Sequence, residues 1–300
     1  MIQTVCGEIS KRQLGVTMDH EHLLLDLTPV RHDNVSVLND LELMSEELHK
    51  AVDFGCQSVV EVTTADMGRN PEGLRILSTR TGVNIIASTG FYLKEYHSDW
   101  LKKASVDEIA EFFQKEINTG IEKTDIKAGI IGEIASSKKI YPDEEKVLIA
   151  AARASKRTNT AVITHCNMGR LGLEQIELLT GEGMTPDKII LSHTDLTADA
   201  DYQIKLLKNG VNLSYDTIGK DRYLSDVTRM RVLMILIKAG WEDHLLLSQD
   251  ISKQTYLTKY GGRGYTAVLG YFIPNLRKAG VTENQLHKML VDNPARILDR

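Results

Sequence analysis

Short apolar runs alternate with longer amphipathic segments along the whole chain. The apolar runs predict strands over Val16–His20, Ser58–Val62, Asn84–Ser88, Lys127–Glu133, Ala161–His165, Lys188–His193, Val211–Tyr215 and Leu245–Asp250. Several are continuous rather than alternating, as in Ile189-Ile190-Leu191, which is the pattern of a strand covered on both faces. Apolar residues at helical spacing predict helices over Leu41–Phe54, Val106–Ile117, Asp143–Thr158, Asp201–Asn209 and Thr228–Ala239, with Gly55, Gly210 and Gly240 where three of them stop. Eight strands, each followed by a helical segment or a long loop, predict an α/β chain folded as a closed (β/α)8 TIM barrel, with Met1–Leu14 as a short N-terminal β lead-in. An open doubly wound sheet is the competing arrangement. Against it, no G-x-G-x-x-G follows the first strand and no Walker A motif is present. No repeat, low-complexity tract or Pro/Gly-rich linker divides the chain, so residues 1–300 are expected to form one domain.

Composition narrows the function classes. A chain of 300 residues with 42% hydrophobic content has ample material for a large core. A net charge of −5, and no stretch that interleaves basic and aromatic residues, argue against nucleic-acid binding. No apolar run is long enough to span a bilayer, and Met1–Glu8 lacks the charged-then-apolar pattern of a secretory signal. Cys6, Cys56 and Cys166 are odd in number, far apart and without a C-x-x-C, which suits reduced thiols. The expectation is a cytoplasmic protein acting on a small molecule, with no membrane or nucleic-acid partner.

The polar residues that interrupt the apolar pattern fall at one end of the strands. After the first strand, His20 and His22 stand two apart, so on extended backbone both project to the same side. The fourth strand ends in Glu133, the fifth in His165, the sixth in His193 and the eighth in Asp250. Four of the nine histidines thus stand at strand C-termini, the end where barrels carry their chemistry. Any one of them could be a core histidine bonded to a carbonyl; gathered on one rim with two carboxylates, they predict a metal site. A donor set without thiolate suits zinc first, with Mn2+, Co2+, Ni2+ or Fe2+ as the other divalent candidates. Six protein ligands exceed the three plus water that one catalytic zinc takes, so two ions are expected, about 3.5–4 Å apart. On this reading Glu133 bridges them, His20, His22 and Asp250 hold one ion, and His165 with His193 hold the other.

Thr17-Met18-Asp19-His20-Glu21-His22 resembles the opening motif of the phosphotriesterase family of the amidohydrolase superfamily. The likeness continues in order through Ala128-Gly129-Ile130-Ile131-Gly132-Glu133, Val162-Ile163-Thr164-His165, Leu191-Ser192-His193-Thr194-Asp195 and Leu247-Ser248-Gln249-Asp250. Tyr215–Lys220, Tyr260–Tyr265, Phe272–Leu276 and Asp292–Ala295 are similar as well. The resemblance implies a metal-dependent hydrolase and a homodimer. Many members of the wider family bridge their metals with a carboxylated lysine at the end of strand four. Glu133 stands there in this chain, so the site would need no carbon dioxide to assemble. Asp195 falls near where members that hydrolyse organophosphates carry further acids; it either orients Asp250 or a ligating histidine, or caps the following helix.

Two dications lower the pKa of a shared water until a bridging hydroxide forms near neutral pH. That hydroxide is expected to attack a carbonyl or phosphoryl centre, with Asp250 as the catalytic proton acceptor. Tyr92, Lys220, Arg222, Lys253 and Arg263 lie in loops after strands three, seven and eight and are the candidate substrate-binding residues. Their cations suit a phosphate or carboxylate, as on a sugar lactone or its phosphate. A lactone or carboxylic ester is the first expectation and a phosphoester the alternative. A metal-binding scaffold without catalysis is the alternative of a different class.

Overall fold

The computed structural model describes residues 1–300. Eight parallel strands form its sheet: β1 (Thr17–Glu21), β2 (Ser58–Glu61), β3 (Asn84–Thr89), β4 (Ile130–Ser136), β5 (Val162–Cys166), β6 (Ile189–Ser192), β7 (Asn212–Tyr215) and β8 (Leu245–Leu247). Each pairs with the next in chain order, the arrangement of a (β/α)8 barrel. Between β8 and β1 no strand ladder forms, and the barrel is nearly rather than fully closed. That seam is joined by Asp250 N donating to His20 O at 3.2 Å and by His20 N donating to Ser248 Oγ at 3.1 Å. The buried Glu21 carboxylate completes it, accepting from Gln249 N at 2.9 Å and Ile251 N at 3.0 Å.

Seven helices follow the first seven strands: α1 (Leu41–Asp53), α2 (Pro71–Thr81), α3 (Val106–Asn118), α4 (Pro142–Thr158), α5 (Gly172–Gly181), α6 (Ala200–Leu207) and α7 (Asp226–Lys238). Their starts are written in the sequence. Asp40 caps α1 by accepting from Glu42 N and Leu43 N, Ser105 and Glu108 form a capping box on α3, and Pro142 opens α4. α2 and α5 were not among the predicted helices. The buried face of α2 carries only Leu74 and Leu77 as large apolar residues, the rest being Pro71, Gly73, Ser78 and Thr81, and α5 runs from one glycine to another, so neither stands out as an apolar helical pattern. The predicted lead-in is a hairpin of Ile2–Thr4 and Gly7–Ile9 followed by a helical turn, Lys11–Leu14.

Alternation along the strands divides the core in two. Val59, Ile85, Ile131, Ile189, Leu191 and Leu213 belong to the large apolar layer between sheet and helices. Val60, Ile86, Ile130, Ile163, Ile190 and Leu246 form a second cluster on the other face, the barrel interior. Ile2, Leu14, Ile297 and Leu298, from the two ends of the chain, join this inner cluster and seal the end where the strands begin. The opposite end is left for polar groups.

Candidate metal centre

β4 runs to Ser136, three residues past its predicted end, so Glu133 sits inside the strand. The pairing register of β4 with β5 shifts between Ile131 and Ile134. Gly132 permits this: its φ is +133°, and a Cβ there would lie 2.1 Å from Ile163 O. His193 and Asp250 lie beyond β6 and β8, not within them, at φ +61° and +47°. These left-handed positions turn the two side chains back over the barrel axis. His20 lies near the end of β1, His22 one residue past it and His165 inside β5, so five elements deliver the six groups.

The six groups meet. Glu133 Oε2 lies 3.0 Å from His165 Nδ1 and 3.7 Å from both His20 Nε2 and His193 Nε2. Its other oxygen faces His22 Nε2 at 3.4 Å, and Asp250 Oδ1 lies at the same distance from that nitrogen. His20, His22 and Asp250 thus form one close group of donors, and His20, Glu133 and His193 form another. The expected division of ligands gave His20 to one ion only; the geometry brings it to both groups. His193 Nε2 and His165 Nδ1 stand 2.9 Å apart.

These observations fit bound cations. His20 Nε2 is buried with no hydrogen-bond partner, although it points at Glu133. Two imidazole nitrogens and a carboxylate oxygen crowd together at His165, His193 and Glu133. Burial works against protonating His22, yet the Asp250 and Glu133 carboxylates outweigh it and raise the imidazole to about 9. Burial likewise opposes ionisation of Glu133, but His165 and the other imidazoles hold it well below the usual carboxylate range. The carboxylates that draw a proton onto His22 would equally draw a divalent cation in its place.

Outer partners orient the imidazoles. Asp216 Oδ1 accepts from His193 Nδ1 at 2.8 Å, and Oδ2 lies 3.2 Å from His20 Nδ1. One carboxylate therefore aims both rings at the centre, and Thr63 Oγ1 does the same for His22 at 2.9 Å from its Nδ1. Asp216 escaped the sequence reading even though it immediately follows β7, where the strand-end rule applied to the other strands would have found it.

A cavity of about 230 Å³ opens on the cluster, lined by His22, Glu133, His165, His193 and Asp250 together with Tyr92, Lys220 and Lys253. The Tyr92 hydroxyl reaches 3.5 Å from His165 Nδ1. Lys220 is buried and makes a close ion pair with Asp250, so this cation is already engaged. Arg222 is exposed and Arg263 stacks on Tyr271; neither lines this cavity. Asp195 takes neither of its expected roles. Its carboxylate is paired with the buried Arg229 at 2.5 Å and bonded to the Thr217 hydroxyl, while Asp199 caps the following helix. Arg31, in the helical turn Thr28–Arg31 after β1, also lines the cavity and carried no signal in the sequence.

A parallel barrel with imidazoles and carboxylates drawn together at its C-terminal rim is the frame of a barrel hydrolase. The chain belongs to the phosphotriesterase family, whose model matches residues 1–298. The phosphotriesterase homology protein of Escherichia coli (strain K12) is 36% identical over 283 residues, covering 94% of this chain and 97% of that protein. A crystal structure of the Escherichia coli protein with phosphate in its active site superposes with a TM-score of 0.94 at 35% identity, covering 96% of this chain and 99% of that one. N-acetyltaurine hydrolase of Danio rerio is 34% identical, covering 99% and 97% of the two chains. A lactonase from Listeria monocytogenes superposes with a TM-score of 0.94 at 29% identity, covering 99% and 98%.

Proposed function

We propose that residues 1–300 work as one hydrolase domain that holds two divalent ions and opens a lactone or carboxylic ester, a sugar lactone or its phosphate among them. The observation that carries this reading is the convergence of His20, His22, Glu133, His165, His193 and Asp250 on one buried centre at the floor of a cavity. Four imidazoles and two carboxylates favour zinc. When bound, the two ions supply Lewis acidity and a shared water acidic enough to serve as the attacking nucleophile near neutral pH. Glu133 faces His22 with one oxygen and His165 with the other, and so would help to hold both ions. Asp250 accepts the proton released at the nucleophile. Burial works against its ionisation, but the Lys220 ammonium and the His22 and His20 rings prevail and hold the carboxyl below its usual range, so it stands ionised. Tyr92 stands over His165 with its hydroxyl 3.5 Å from Nδ1, placed to donate to a substrate carbonyl.

The lactonase from Listeria monocytogenes supports the lactone reading. Phosphoester hydrolysis is the second reading, favoured by the phosphate in the active site of the Escherichia coli relative. A cytoplasmic homodimer belongs to the same proposal. No helix is long and apolar enough to cross a membrane. The test is a panel of lactones, carboxylic esters, N-acyl amides and phosphoesters offered to metal-reconstituted protein, with metal analysis alongside. About two equivalents of metal per chain and turnover of lactones or esters are expected. Bound metal with no turnover of any substrate would make the chain a metal-binding scaffold.

A further inference from the structure

We infer that the side chain of Met168 is a gate between the catalytic cavity and an adjoining groove, and that it decides how large a substrate the site accepts; this rests on the hydrolase reading above. Met168 and Leu196 line the cavity beside His165 and His193. The same two side chains also line an open groove of about 480 Å³. They are therefore the wall that the two spaces share. On its other side the groove offers Leu171, Leu173 and Tyr202, an apolar surface for an alkyl or aryl group.

The backbone shows that Met168 is not there for the fold. β5 ends at Cys166, and the chain then turns through Asn167–Gly169. Met168 stands in that turn at φ +52°, a left-handed conformation that glycine adopts freely and a residue with a Cβ resists. Gly169 presses the turn against the segment after β6, for a Cβ there would lie 2.7 Å from His193 O. The chain gains little burial in return. Met168 is 45% exposed and belongs to neither apolar cluster of the core. A large apolar side chain held at a strained and exposed position is accounted for by what it covers.

Of the two wall residues, Met168 is the one able to move. Leu196 is half-buried in the turn Thr194–Thr197, whereas the methionine is unbranched, has three rotatable bonds and stands largely in solvent. With its side chain across the opening, the cavity keeps its volume of about 230 Å³, suited to a compact lactone or ester. With the side chain swung aside, a longer apolar substituent passes over Leu196 and lies along Leu173 while the scissile bond stays above the metal ligands.

The test uses metal-reconstituted protein and two γ-lactones, one with a methyl and one with an octyl substituent. Met168→Gly and Met168→Ala should each raise the octyl-to-methyl ratio of kcat/KM roughly tenfold or more, mainly through KM. Met168→Leu keeps an apolar side chain of similar volume and should stay within about threefold of the unaltered protein. Leu173 lines the groove and not the cavity, so adding Leu173→Asp to Met168→Gly should bring the ratio back towards its starting value. The denaturant midpoint of Met168→Gly should not fall, because glycine takes up the left-handed turn without strain. A ratio that the glycine and alanine variants leave unmoved overturns the inference while the hydrolase reading stands, and so does a lowered midpoint, which would make Met168 a residue of the fold. A gain that survives Leu173→Asp overturns the groove as the space the gate opens onto. If neither lactone is hydrolysed, the hydrolase reading fails, and binding of the neutral fluorophore N-phenyl-1-naphthylamine decides the gate separately. Tighter binding to Met168→Gly that Leu173→Asp reverses supports it, and equal binding to all three proteins overturns it.

Discussion

Where the strands begin, Val60, Ile86, Ile130, Ile163, Ile190 and Leu246 fill the barrel interior, and Ile2, Leu14, Ile297 and Leu298 close over them. Where the strands finish, the same interior is walled by His20, His22, Glu133, His165 and His193, all of them buried or nearly so. One end gains free energy from every side chain it takes out of water, roughly 1.5–3 kcal/mol for each large aliphatic residue. The other end takes ionisable groups out of water, and without a counter-ion that is a cost. The two ends thus divide the labour. The apolar end holds the fold together, and the polar end spends some of that stability on a site poised for cations.

Substitutions at the two ends should therefore separate activity from stability. The largest effect is expected for Glu133→Gln at the polar end. Losing the shared carboxylate should strip most of the metal and lower turnover at least a thousandfold, about 4 kcal/mol in barrier, with the circular dichroism spectrum unchanged. Asp250→Asn should retain more metal than that variant yet still lose on the order of a hundredfold in turnover, as expected of a missing proton acceptor. At the apolar end, Leu14→Ala should lower unfolding free energy by roughly 3 kcal/mol in denaturant titrations while the folded fraction keeps its metal content. A loss of metal equal to that of the Glu133 variant would show that the two ends are not separable.

Smaller effects probe the supports. Asp216→Asn leaves every proposed ligand in place but removes the charge that orients His20 and His193, and should weaken metal binding roughly 10–100-fold by competition with a chelator. Glu47 of α1 supports the loop after β8, accepting from Thr258 N at 3.0 Å and Lys50 Nζ at 2.9 Å. Burial works to raise this carboxyl, but hydrogen bonds from Thr258 and Lys50 outweigh it and keep it below its ordinary 4.5. Its contribution is then present above about pH 4.5 and lost as pH falls through the lowered value. Glu47→Gln should cost about 1 kcal/mol at neutral pH and bring faster amide exchange to that loop, and acid should produce the same change in the unaltered protein.

All eight strands were legible because parallel barrel strands are apolar on both faces, and a run such as Ile189-Ile190-Leu191 admits few other readings. The six converging groups were legible for a related reason: a histidine or acid that ends such a run has no apolar role to play. What remained hidden depended on the path of the backbone. That Glu133 lies inside β4, and that His193 and Asp250 reach the centre from left-handed loop positions, follows from local turns that periodicity does not encode. The pairing of Lys220 with Asp250 and of Asp195 with Arg229 joins residues 30 and 34 positions apart through loops of no regular pattern. Arg31 was invisible for the same reason. Its side chain reaches the cavity only because the loop after β1 folds back across the barrel mouth.

The gap between β8 and β1 gives the rim one more property. His20 and His22 stand on one shore of that gap and Asp250 on the other, with one backbone–backbone hydrogen bond, the Ser248 hydroxyl and the Glu21 carboxylate spanning it. A cation gripped by all three would act as the rivet of an otherwise split hoop, so loading the centre should also stiffen the ring that carries it.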